Sequence, residues 1–155
     1  MRAAVMRCGT LGATLAVALA GTPARADCFD WSDRQVVIEQ GALQGLPPGV
    51  LRWRIGRMPA HGAHIWTAVE LRWTPPGGRI QVQRIFEGMQ DGRVLIDRQG
   101  SALRLRVTSC SRDADHCRDV PLSYAWDRAA GRFVGATPAA RQMLESACTA
   151  GEPTR

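Results

Sequence analysis

Apolar and polar residues alternate with a period of two through five separate runs of this chain, and that alternation is the signature of half-buried β-strands. In "LRWRI", Leu51, Trp53 and Ile55 share one face while Arg52 and Arg54 take the other. In "IWTAVELRW", Ile65, Thr67, Val69, Leu71 and Trp73 oppose Trp66, Ala68, Glu70 and Arg72. "ALRLRV" sets Leu103, Leu105 and Val107 against Arg104 and Arg106, and "VPLSYAW" sets Val120, Leu122, Tyr124 and Trp126 against smaller residues. "RIQVQRIF" begins the same way, but the adjacent Ile85 and Phe86 break phase, which predicts a bulge or a two-sided end. Trp53, Trp73 and Trp126 belong to the expected core.

The runs are separated by the turn signals "LPPG", "MPAHG", "TPPGG", "MQDG", "RQGS" and "DRAAG". Short strands joined by turns, with no helical crossover between them, predict an all-β, mainly antiparallel fold: a small barrel or sandwich of about seven or eight strands. One helix is expected near residues 138–148. Thr137 caps it, Pro138 sits at its first position, and Ala140, Leu144 and Cys148 form a stripe at four-residue spacing that packs on the sheet.

Cysteine usage indicates the compartment. Residues 1–26 read as a cleaved export signal, with Arg2 and Arg7 before the apolar "LGATLAVALA" and a small-residue cleavage pattern ending at Ala26. That apolar stretch is too short to span a bilayer, and no later one approaches the length required. Cys8 leaves with the signal, so Cys28, Cys110, Cys117 and Cys148 remain. An even number in an exported chain implies disulfides. The expected pairs are Cys110–Cys117, stapling the turn between two strands, and Cys28–Cys148, tying the start of the mature chain to its last helix. The mature chain is then one domain over residues 27–150 with a loose tail at 151–155, in the periplasm or secreted.

Charge narrows the partners. The chain contains no Lys, and loss of Arg2, Arg7 and Arg25 leaves 17 Arg against 14 Asp and Glu, a net charge of +3. This excess is too dilute for a nucleic-acid binder. The arginines are nonetheless patterned, with Arg52, Arg54, Arg72, Arg104 and Arg106, and beside them Arg79 and Arg84, on polar strand faces. A ladder of guanidinium groups suits carboxylate or phosphate, and arginine is a common interface anchor. The stapled turn adds Arg112, Asp113, Asp115 and His116, a rigid charged loop that loses little entropy on entering a partner's cleft. Trp66 falls on a polar strand face beside charged residues. It either offers a contact platform or lies under the C-terminal helix.

Two other classes of function have residues to offer. Met58, His61 and His64 are soft or borderline ligands of the kind a copper- or zinc-handling protein uses. A small secreted hydrolase would need His116 to meet His61 or His64. Neither has a motif with the right spacing: Asp113 and Asp115 lack the remaining acids of a calcium loop, and no serine stands in a G-x-S-x-G context. The expectation is therefore an exported, non-catalytic binding protein without a cofactor. As an inhibitor, immunity factor or accessory subunit, it would recognise another envelope or secreted protein.

Overall fold

The structure is a computed structural model that describes residues 28–60, 64–89, 92–110 and 116–148. The expected signal, His61, Arg112, Asp113, Asp115 and the tail lie outside these residues. Strands β1 (Val37–Leu46), β2 (Gly49–Pro59), β3 (Ile65–Trp73) and β4 (Gln81–Met89) form one four-stranded sheet in that order. Strands β5 (Val94–Gln99), β6 (Ala102–Cys110), β7 (Cys117–Asp127) and β8 (Arg132–Gly135) form a second four-stranded sheet, also in chain order. Every pairing among these strands is antiparallel. The result is a sandwich of two meanders and not a closed barrel. Among the described residues, no helix is long and apolar enough to cross a membrane.

The alternation puts Leu51, Ile55, Val69, Leu71 and Trp73 from the first sheet against Leu103, Leu105, Val107, Leu122 and Tyr124 from the second. Burial of these side chains, each worth about 1.5–3 kcal/mol relative to an exposed position, holds the layers together. At one end of this core, Trp73, Trp126 and Phe133 meet edge-to-face, with ring centroids 5.2–6.2 Å apart. The broken phase in β4 is a bulge. Phe86 pairs with Val69 and Arg84 with Glu70, so Ile85 is the extra residue, and both Ile85 and Phe86 turn into the core. The buried Tyr124 hydroxyl donates to the Ile85 carbonyl at 2.7 Å, satisfying a backbone group at the bulge and bonding one sheet to the other.

Side chains close the seams where the sheets meet. On one side, Gln83 of β4 acts as a strand partner for Phe133 of β8. Its amide donates to the Phe133 carbonyl at 2.8 Å and its oxygen accepts from the Phe133 N–H at 2.9 Å. On the other side, Arg98 donates to the Gly45 carbonyl and Arg57 to the Gly92 carbonyl.

Helix α1 (Pro138–Ser146) begins as expected, with the Thr137 side chain accepting from the Ala140 N–H and Pro138 in the first turn. It packs on β4, β7 and β8. A Cβ at Gly135 would strike the Arg141 backbone, so glycine permits this close strand–helix approach. Both expected disulfides are formed, Cys28–Cys148 and Cys110–Cys117.

Candidate binding face of the first sheet

The outer face of the first sheet is a grid whose rows follow from strand register. One row holds Ala42, Arg52, Arg72 and Val82, and the next holds Gln40, Arg54, Glu70 and Arg84. A third holds Val37, Gly56, Ala68 and Glu87, and a fourth holds Met58, Trp66 and Met89.

The third row is roofed by the segment that follows Cys28. Phe29 is buried there and lies against Trp31, with ring centroids 4.7 Å apart. The small residues Gly56 and Ala68 make room for it: a Cβ at Gly56 would come 2.6 Å from the Phe29 ring and 2.7 Å from the Trp31 ring. Glu87 anchors this strap by accepting the Phe29 N–H at 2.7 Å, and Arg84 bridges Glu87 at 2.7 Å and the Phe29 carbonyl at 3.4 Å. Just beyond, the exposed Asp30 carboxylate accepts from the backbone N–H and the hydroxyl of Ser32. These two bonds, the backbone one first, hold its pKa below the ordinary aspartate value. The Cys28–Cys148 bond then ties the strap to the residues after α1.

The second row is organised by one carboxylate. Glu70 is only 3 % exposed; its Oε1 accepts from Arg54 Nε and Arg72 Nε, each at 2.8 Å, and Arg54 Nη2 lies at the same distance as an ion-pair contact. The Arg54 guanidinium also lies 4.0 Å from the centre of the Trp31 ring, a cation–π contact that the strap supplies. Burial lowers the Arg54 pKa, as do the nearby Arg72 and Arg84 charges, while Glu70 acts in the opposite direction. A guanidinium so placed still carries its charge at neutral pH.

The first row and its neighbours remain open. A groove of about 810 Å³ runs beside them, lined by Arg34, Gln40, Ala42, Arg52, Arg54 and Arg72. Arg34 comes from a 3-10 turn, Arg34–Val36, which follows the strap and is capped by Asp33. Four guanidiniums thus border the groove, and the Glu70 carboxylate is buried behind two of them. The arrangement is a cationic surface whose donors have the chemistry to hold an anion.

The fold divides the sequence-derived candidates. It brings Arg52, Arg54 and Arg72 together on this face, with Arg84 beneath the strap and committed to Glu87. Arg104 and Arg106 project from β6 in the second sheet. Arg104 turns to Gln99 at 2.9 Å and to Asp97 at 3.6 Å. The expected single ladder is therefore two separate patches, because alternation assigns a face to each strand but no sheet. Trp66 is half-buried between Met58 and Met89, and no described helix covers it, since α1 lies at the β4–β8 seam. Arg34 and the strap residues Phe29 and Trp31 are not marked by the alternation. The small residues Gly56 and Ala68, at polar-face positions of long strands, are the available sign that something packs there.

The remaining candidates sit elsewhere. His64 immediately precedes β3, where its carbonyl accepts the Ala60 N–H at 2.9 Å, and His116 is exposed beside the Cys110–Cys117 staple at the turn of the second sheet. Among the described residues, no three His, Cys, Asp or Glu side chains gather in a way that could hold a metal ion. The Cys110–Cys117 staple borders a cleft of about 350 Å³ lined by Ser109, His116 and Arg118 with the two cysteines. No family model matches the chain, no curated protein matches it, and no solved structure matches it.

Proposed function

We propose that this chain is an exported, non-catalytic binding protein, such as an inhibitor, immunity factor or accessory subunit, that captures another envelope or secreted protein on the outer face of its first sheet. The observation that carries this reading is the buried Glu70, which fixes two guanidiniums at the edge of an open groove. Holding long arginine side chains in place before binding lowers the entropy lost on contact, and prepositioned arginines are frequent interface anchors. Two disulfides and the leading signal-like segment support export.

The test is capture from envelope extract with tagged, oxidised mature protein, read by mass spectrometry. Wild type and an Arg104→Glu/Arg106→Glu variant should recover the same stoichiometric partner, and Arg52→Glu/Arg72→Glu should lose it while melting cooperatively. Equal recovery by all three would refute the assignment of this face.

A further inference from the structure

Resting on that reading, we propose that the position between Arg52 and Arg72 is a carboxylate-binding site, filled in the complex by an acidic side chain of an extended peptide segment belonging to the partner. Two adjacent rows of the grid differ in how their charges are paired. In one row Arg54 stands directly across from Glu70, and Glu70 also takes Arg72. Two residues along the same two strands, Arg52 stands directly across from Arg72. Like charges in register across antiparallel strands repel. Both side chains are exposed and open on the groove, and among the described residues Arg52 has no ion-pair partner.

The Glu70 cluster shows how this surface holds a carboxylate. Arg72 gives Glu70 only its Nε, so its terminal nitrogens are left for another acceptor. Together with the whole Arg52 fork, they repeat the kind of donor set that Arg54 and Arg72 give Glu70, without the acid. A carboxylate arriving there would relieve the Arg52–Arg72 repulsion and complete the row. Arg34, also lining the groove, gives a further cation for a neighbouring acid. The open shape and the volume of the groove suit a peptide bearing several acids better than a single small anion. A like-charged pair at an exposed, in-register position disfavours the fold there, and a bound carboxylate would offset that cost.

Stability and binding should therefore move in opposite directions. Arg52→Glu turns the like-charged pair with Arg72 into a cross-strand ion pair, so the melting temperature should rise by about 2 °C or more. The same change should weaken binding of acetylated hexaglutamate at least about tenfold, measured by titration calorimetry on the oxidised mature chain, and wild-type affinity should fall as salt rises. Arg52→Gln, which removes the repulsion without adding an acid, should also weaken binding with no loss of melting temperature. Arg104→Glu, on the other sheet, should leave binding unchanged.

A lower melting temperature for both Arg52 variants, or undiminished hexaglutamate binding by them, would overturn the proposal. So would inorganic phosphate competing as well as the peptide does, since the site would then take any oxyanion. If partner capture depends on Arg52 and Arg72 while hexaglutamate does not bind, the carboxylate assignment falls and the binding face survives. If capture ignores both arginines, the proposed function itself falls.

Discussion

Replacing Glu70 by Gln would keep the shape of the side chain and one oxygen acceptor while removing the charge between Arg54 and Arg72. Loss of one partner from a fully buried pair costs about 3–5 kcal/mol, and loss of an exposed pair costs about 0–1 kcal/mol. This cluster lies between those limits. The Glu70 side chain is 4 % exposed, but Arg54 is 18 % and Arg72 44 % exposed, so water can re-solvate much of the released charge. The expected cost is about 2 kcal/mol. With a urea dependence of about 2 kcal/mol per molar for a domain of this size, the unfolding midpoint should fall by about 1 M. The assay is urea unfolding followed by tryptophan fluorescence with both disulfides intact. A midpoint unchanged within about 0.2 M, or raised, would refute the claim that Glu70 holds this face together.

Four further perturbations test other parts of the structure. Tyr124 is the chain's one tyrosine, and burial raises its pKa well above the ordinary phenol value. The neutral form is thus favoured in the folded state, so its contribution is fully present below about pH 10 and is lost as pH rises beyond it, at roughly 1.4 kcal/mol per pH unit. An absorbance titration should show no phenolate until the protein unfolds, and a normal step near pH 10 with the fold intact would contradict this. Gly56→Ala should cost about 1–3 kcal/mol and expose Trp31 to acrylamide quenching, because the added methyl strikes the strap. Gln83→Leu should cost about 2 kcal/mol in urea unfolding by leaving the Phe133 N–H and carbonyl without their partner across the seam. In the chain-entropy model, removing Cys28–Cys148, with 120 residues of separation, should cost up to about 5 kcal/mol, and removing Cys110–Cys117, with 7, about half of that, as read from the melting of paired Ser variants.

The legible parts of the fold are those in which one face of a strand is apolar and the other polar. β2, β3, β6 and β7 follow that rule, and so the alternation in the sequence marks them and their inward residues correctly. The phase break at Ile85 and Phe86 is readable for the same reason, since two adjacent core residues in a strand require a bulge. β1, β5 and β8 carry no clear pattern. β1 is an edge strand with most of its residues exposed, β5 is half-buried along much of its length, and β8 has only four residues. The disulfides are readable because four cysteines in an even set leave few choices, and the stapled pair lies only seven positions apart.

The candidate site is legible only in part. Alternation marks Arg52, Arg54 and Arg72, yet it groups them with Arg104 and Arg106, because the period of a strand says nothing about which sheet it joins. It also marks Glu70 as a solvent-facing residue. Glu70 is buried beneath the guanidiniums of Arg54 and Arg72, and Trp31, from a segment with no periodicity, packs in turn on Arg54. Long-range packing of this kind leaves only an indirect trace in sequence, here the small side chains of Gly56 and Ala68.

The most direct measurement is hydrogen exchange, followed by mass spectrometry, on the isolated protein and on its complex with the captured partner. New protection is expected only in residues 34–42, 50–54 and 70–74, around the groove and its paired arginines. Protection concentrated in β5–β7, with the first sheet unchanged, would place the partner on the other sheet and contradict the account.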